Sequence, residues 1–158
     1  MKKVALVLTM GLVTSLGLAY PQSDTEQEVK AVIIESYEYG NASLVTRMDD
    51  YSMHGALEFW SSGGLLQEVS RDAPASEYDI LSIQPKHIEV ITLVEGQAAV
   101  AHYYAEGTMK PKGSAAVAHY LTRATQVFVK ENGSWKIRSS HYSPIAGGAG
   151  TSQTTLQQ

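Results

Sequence analysis

The residues best suited to chemistry lie in the second half of this 158-residue sequence, where ionisable side chains recur within strand-like segments. Histidine works as a general base near neutral pH, and tyrosine or arginine stabilises developing negative charge. Because side chains alternate along a strand, residues at every second position of neighbouring strands share one face of a sheet. We predict that one such face lines a polar-floored, ligand-binding pocket. Its members are His102, Tyr104, Glu106, His119, Arg123 and Tyr142.

Two hairpins set the register behind this prediction. Asn132-Gly133 is a strong signal for a two-residue turn, and that turn would place Arg123 opposite Tyr142. A second connection, Lys110–Gly113, brings the two histidines to the same face if its loop contains an even number of residues. A slip of one residue in that loop would reverse the assignment.

Each of the six residues also has a simpler interpretation. The histidines are partly exposed strand residues if no metal site forms, and no third ligand occurs at metal-binding spacing. Arg123 would then form a structural ion pair with Glu106, and the tyrosines would pack with their hydroxyls reaching water. Asp49-Asp50 is a further carboxylate pair, but adjacent helix residues point apart, so we predict a solvated helix end. We assign no metal ion, no cofactor and no catalytic residue.

The elements that position these residues are helical first and strand-like afterwards. Capping boxes at Ser23–Glu26 and Thr25–Glu28 predict a helix start, and Gly40-Asn41 predicts its end. A shorter helix is predicted from Ser43 to about Asp50, and one more helical turn at 65–69. The predicted strands are 54–60, 78–83, 87–94, 97–108, 115–130 and 135–143. Helices followed by an antiparallel meander indicate an α+β fold, with the helices covering one side of a curved sheet.

One short motif occurs twice within the predicted sheet. Ala-Ala-Val-Ala-His-Tyr occupies 98–103 and again 115–120. Two copies do not make a repeat protein. We interpret them as adjacent strands in similar surroundings.

The two ends of the chain differ from the predicted domain, which we place at residues 20–145. Residues 1–19 contain two lysines, an uncharged apolar run of about 15 residues and small residues at the end, the order of a secretory signal peptide. The run is shorter than the ~20 residues of a membrane span, although an uncleaved anchor is the alternative. We therefore predict an exported protein, periplasmic or secreted. Residues 146–158 are rich in Gly, Thr and Gln and are predicted to be a disordered tail.

Composition narrows the classes of partner. The chain has no cysteine, which excludes disulfides and a thiol nucleophile. Its formal net charge is −4, and removal of Lys2 and Lys3 with the signal would change this to −6. Nucleic acids and anionic membranes require clustered Lys and Arg, which are absent, so neither is an expected partner after signal cleavage.

The closing hairpin resembles that of SnoaL-like proteins in the nuclear transport factor 2-like superfamily. The likeness lies in an Arg-x-Thr-x-Val-Phe strand at 123–128, an Asn-Gly-x-Trp turn at 132–135 and a His-x-Ser end at 141–143. The helix end at 39–41 and the strand at 96–104 also match. The resemblance implies a cone-shaped α+β barrel, a pocket between helices and sheet, and a homodimer formed through the sheet.

Two members of that superfamily allow the expected site residues to be compared position by position. The association domain of calcium/calmodulin-dependent kinase II holds carboxylates with arginines, and those positions fall on Tyr104, Gln126 and Tyr142 here. The resemblance therefore does not extend to carboxylate binding by the same groups. In ketosteroid isomerase a tyrosine and a carboxylate base are required, but the tyrosine position falls on Ile33, and Glu58 is the nearest candidate base.

Three functions remain open from the sequence. The favoured one is an exported, non-catalytic domain that holds a small organic ligand in the pocket and forms a homodimer. The second is an isomerase, cyclase or dehydratase in which His102 or His119 is the general base. The third is a structural or protein-interaction module. Fold analogy alone does not choose between them.

Overall fold

The computed structural model describes residues 23–145 and confirms the α+β architecture. The predicted signal peptide and the predicted tail lie outside the described residues. One helix packs on a curved, unclosed sheet of six strands in the order β2-β1-β6-β5-β4-β3. All neighbouring strands are antiparallel except β1 and β6. The elements are α1 (Asp24–Ser43), β1 (Ala56–Phe59), β2 (Gln67–Val69), β3 (Tyr78–Val94), β4 (Ala98–Pro111), β5 (Val117–Glu131) and β6 (Ser134–Pro144).

The helix begins where the capping signal predicts and ends later than expected. Ser23 is the N-cap, and its hydroxyl accepts a hydrogen bond from the Glu26 amide at 3.2 Å. The helix continues past Gly40 to Ser43, and Leu44 takes the left-handed conformation with φ 58°. Gly40 is buried instead, and a Cβ there would lie 3.2 Å from the Leu81 side chain. This glycine therefore permits close packing rather than a turn.

Two other predicted helical segments have different structures. The predicted second helix is reduced to a single 3-10 turn, Met48–Asp50. Part of the predicted turn at 65–69 is β2, a three-residue strand that pairs with β1. A strand this short shows too few alternations to be distinguished from a helical turn by periodicity. The predicted strands on either side of Pro85 form one strand, β3, with a bulge between Lys86 and Glu89.

The core lies between α1 and one face of the sheet. Val29 and Ile33 project from the helix and are almost completely buried. Opposite them, small side chains on the inner face of β4 leave room for the helix to approach. These are Ala99, Ala101 and Ala105. The inner face of β4 therefore consists of these alanines and of Tyr103, which follows the same alternation.

A bulge in β6 changes the face of every residue that follows it. The predicted pairing holds from Glu131–Ser134 at the turn to Phe128–Ile137. Arg138 is then an extra residue, because Val127 pairs with Ser139. The remainder of β6 is consequently shifted by one position relative to the simple hairpin register.

Candidate functional site

A cavity of about 450 Å³ lies between α1 and the inner face of the sheet. Its wall is mainly apolar and aromatic, with contributions from Trp60 and Phe128. Its polar side chains are serines, threonine, Gln126, three charged residues and several tyrosines. Six tyrosines line it: Tyr37, Tyr51, Tyr78, Tyr103, Tyr120 and Tyr142. The volume and the mixture of apolar surface with a few polar groups are typical of small-molecule sites.

A hydrogen-bond network fixes several of these tyrosines. The Tyr103 hydroxyl donates to Gln126 Oε1 at 2.7 Å, and the Gln126 amide nitrogen donates to Tyr142 at 2.8 Å and to Ser140 at 3.2 Å. The Tyr37 hydroxyl donates to Tyr103 at 3.4 Å, which links the helix to the sheet. Burial raises the pKa of Tyr37, Tyr103 and Tyr142, so all three are neutral hydrogen-bonding groups.

Glu58 is a buried acid next to Trp60, a residue that lines the cavity. It projects inward from β1, pairs by register with Ser140, and is only 3% exposed. The indole nitrogen of Trp60 donates to its Oε2 at 2.9 Å, whereas Oε1 has no hydrogen-bond partner within residues 23–145. Burial raises the pKa of Glu58, although the nearby Trp60, Ser140 and Tyr51 side chains partly favour the charged form. The group is suited to holding or accepting a proton.

Asp50 is a second buried acid, and it lines the cavity directly. Its side chain is 9% exposed, and Oδ1 lies 3.5 Å from Arg47 Nε. Burial raises its pKa, and the Ser36 hydroxyl and Arg47 offset part of that effect. Its Oδ2 has no hydrogen-bond partner in the described part of the chain. The prediction of a solvated pair is therefore wrong for Asp50, while Asp49 is exposed and pairs with Arg71.

The structure places only one of the six predicted pocket residues at the cavity. Tyr142 lines the cavity, because the bulge at Arg138 places it opposite Ala124. The placement beneath the helix is wrong for the other five, which lie on the face of the sheet away from α1 or at its exposed margin. They are His102, Tyr104, Glu106, His119 and Arg123. Their roles in ligand binding stay predictions.

These five residues form separate contacts rather than one site. His102 Nδ1 lies 3.0 Å from the Thr125 hydroxyl, and Arg123 Nε donates to Ser143 at 2.9 Å. Glu106 pairs with Lys86 rather than with Arg123. The predicted grouping across β4 and β5 is right, since Tyr104 pairs with Arg123 by register, but the face is the solvent side.

The cavity residues carry a signal that the sequence does contain. In β4, alanines at every second position share a face with Tyr103, and small residues mark the side against which a helix packs. The repeated hexapeptide places Tyr103 and Tyr120 at equivalent positions, and both face the cavity. Glu58 carries no such signal, because β1 has only four residues.

The face away from the helix is partly apolar. Ile91 pairs with Val100, Val100 pairs with Val127, and these three side chains form a row across β3, β4 and β5. Ile91 is 53% exposed, and Leu57 and Phe59 of β1 are also exposed. Large exposed apolar patches on proteins commonly mark interaction surfaces.

Comparison with known families identifies the class of protein. A model of the SnoaL-like domain matches residues 31–147, and the chain belongs to this family. The predicted resemblance is therefore confirmed. A search of curated proteins gave no match. Within residues 23–145 no helix is long and apolar enough to cross a membrane, and no cluster of three His, Asp or Glu side chains is placed to hold a metal ion.

Solved structures with the same fold differ in what they are called. A protein from Novosphingobium aromaticivorans, provisionally named an aromatic ring hydroxylase, is 18% identical, with 79% of this chain and 92% of that chain covered and a TM-score of 0.58. A nuclear transport factor 2-like protein of unknown function from Pseudomonas putida is 13% identical, with 84% and 96% covered and a TM-score of 0.54. The calcium/calmodulin-dependent kinase II hub homology domain from Chlamydomonas reinhardtii is 20% identical, with 75% and 97% covered and a TM-score of 0.52. At these identities the likeness shows the fold alone.

Proposed function

We propose that this protein is a small-molecule-binding domain whose ligand occupies the cavity between α1 and the sheet, without being chemically changed. The observation that carries the proposal is the preformed network around Gln126 at the wall of an aromatic cavity. Buried hydrogen-bonding groups fixed in this way orient a ligand, while the apolar wall supplies most of the contact area. The ligand is a small, largely apolar molecule with a few polar groups.

A cavity-blocking substitution tests this proposal. Ser36 lines the cavity from α1, so Ser36→Phe places a ring inside it. Ala31→Phe adds the same ring to the exposed side of the helix and is the matched control. We expect the parent chain and Ala31→Phe to retain or capture the same ligand in native mass spectrometry against a metabolite mixture, and Ser36→Phe to lose it. Equal capture by both variants, each folded by circular dichroism, would place the ligand elsewhere.

An enzymatic function is the second candidate, and the buried carboxyl of Glu58 favours it. Raised carboxyl pKa values suit general acid–base catalysis at neutral pH. The predicted histidine bases do not lie near the cavity, so a proton-transfer reaction there would use Glu58 instead. Once a ligand is known, Glu58→Gln distinguishes the two functions. Loss of turnover with retained binding supports the enzyme, and the absence of any turnover in the parent chain supports the binding domain.

A homodimer through the outer face of the sheet is the proposed assembly. The apolar row at Ile91, Val100 and Val127 supports it, as does the fold shared with the hub homology domain described above. Light scattering after size exclusion tests it. We expect Ile91→Lys to give monomers and Leu65→Lys, on an exposed connection outside the sheet, to leave the dimer intact. A monomeric parent chain would refute this assembly.

Export is proposed from the N-terminal sequence. Cleavage after Ala19 would give a mature chain that begins at Tyr20. Intact mass of the protein recovered from the periplasm and medium of an exporting host measures this directly. Recovery of the full-length chain with cytoplasmic material would refute it.

A further inference from the structure

We propose that the cavity selects a protonated amine carried on an apolar body, over a neutral or carboxylate ligand of the same shape. This inference rests on the proposed binding function and specifies its ligand class. It follows from the charges, the unpaired acceptors and the aromatic surface of the wall.

The charges that line the cavity are mostly acidic. Its charged lining residues within 23–145 are Asp50, Glu68 and Arg47, and no lysine or histidine of that part contributes. The arginine is already engaged, because its Nε lies 3.5 Å from Asp50 and its guanidinium lies 5.5 Å from the centre of the Tyr39 ring. A carboxylate ligand would therefore meet like charge without a free counter-ion.

The buried acids also leave hydrogen-bond acceptors unpaired. Asp50 lines the cavity, its side chain is nine-tenths buried, and its Oδ2 has no partner among the described residues. Beside the cavity, Glu58 Oε1 also has no hydrogen-bond partner among these residues. A buried acceptor without a partner costs free energy, which a ligand N–H relieves. An ammonium group supplies several such donors and a compensating charge, whereas a hydroxyl supplies one donor and no charge.

The aromatic lining is the third reason. Six tyrosines and Trp60 contribute to a cavity of about 450 Å³. Aromatic faces attract cations, most strongly where water is excluded. The same rings bind the apolar body of the ligand, so an amine on an aromatic or aliphatic skeleton gains from both its head and its body.

Three probes with one skeleton test the proposal by isothermal titration at pH 7: 2-phenylethylamine, 2-phenylethanol and 3-phenylpropanoate. We expect the amine to bind at least about tenfold more tightly than the alcohol, a difference that corresponds to about 1.4 kcal/mol. The carboxylate should bind most weakly. Asp50→Asn should remove most of the preference for the amine while alcohol binding changes less than twofold. Asp49→Asn, the exposed neighbour, should leave the preference unchanged.

Arg47→Met supplies a second variant with the opposite expected sign. Removing the competing cation should strengthen amine binding, and it tests the inference even if Asp50→Asn does not fold. Equal affinity for amine and alcohol, or tightest binding of the carboxylate, would overturn the amine preference while leaving the binding function intact. If none of the three probes binds and Ser36→Phe also changes nothing in metabolite capture, both the ligand class and the binding function fail.

Discussion

Tyr103→Phe tests whether the network around Gln126 stabilises the fold as the structure indicates. Tyr103 and Gln126 are each only 3% exposed, and the tyrosine hydroxyl is the group that donates to Gln126 Oε1. Without it, that oxygen is buried and unpaired, and turning the amide over would leave its NH2 group unpaired at the same place instead. The cost of a buried unpaired acceptor is about 1–3 kcal/mol, so we expect a loss of about 2 kcal/mol.

The assay is thermal and urea unfolding of the two proteins side by side. For a domain of this size, about 2 kcal/mol corresponds to a fall in Tm of roughly 6–10 °C. Tyr104→Phe is the matched control, since Tyr104 follows in the same strand but is 43% exposed on the opposite face. Its variant should stay within about 0.5 kcal/mol of the parent chain. A loss below about 0.5 kcal/mol for Tyr103→Phe would mean that water in the cavity replaces the hydroxyl, and would refute the reasoning.

Three further changes have expected outcomes. Burial raises the pKa of Glu58 above its ordinary 4.5, so the folded state keeps a proton that the unfolded chain releases. The free energy of unfolding should therefore fall as the pH rises above about 4.5. Urea titrations at pH 5–8 measure this slope, and Glu58→Gln should remove it. Gly107→Ala would place a Cβ 1.9 Å from the Ser82 carbonyl oxygen, so we expect a loss of at least about 3 kcal/mol by urea unfolding, and a Tm within about 2 °C of the parent would contradict it. Thr25→Val removes the 2.8 Å hydrogen bond that the Thr25 hydroxyl donates to Glu95 and the one that it accepts from the Gly96 amide. Calorimetry should show that the free energy of unfolding falls by about 1–3 kcal/mol, and a stability equal to that of the parent chain would contradict this.

The fold was predictable where local signals agree with the global structure. The capping box at Ser23–Glu26, the turn at Asn132-Gly133 and the alternation of the long strands each act over a few residues, and each is confirmed. The short segments were not predictable in the same way. The four residues of β1 and the three of β2 are too few to show a clear period, and pairing with other strands determines their conformation.

The site was less predictable because the face on which a side chain lies depends on the exact register of each strand. Alternation groups residues correctly within a strand but does not state which face meets the helix. The ionisable side chains of β4 and β5 suggested a site on one face of the sheet, yet Tyr103 and Gln126, on the other face, line the cavity. The burial of Asp50 depends on the 3-10 turn that replaces a longer helix. Such a replacement is a tertiary effect that adjacent residues do not encode.

The extra residue at Arg138 has a consequence for how relatives of this chain are compared. Deleting it would remove the bulge but leave Ser139 opposite Val127 and Tyr142 opposite Ala124, so Tyr142 would still face the cavity. The residues after position 137 would then stand one place nearer the turn in the sequence while keeping their places in the sheet. A relative without the extra residue therefore needs a one-residue gap at position 138 when it is aligned with this chain, and an alignment that omits the gap equates side chains from opposite faces of the sheet.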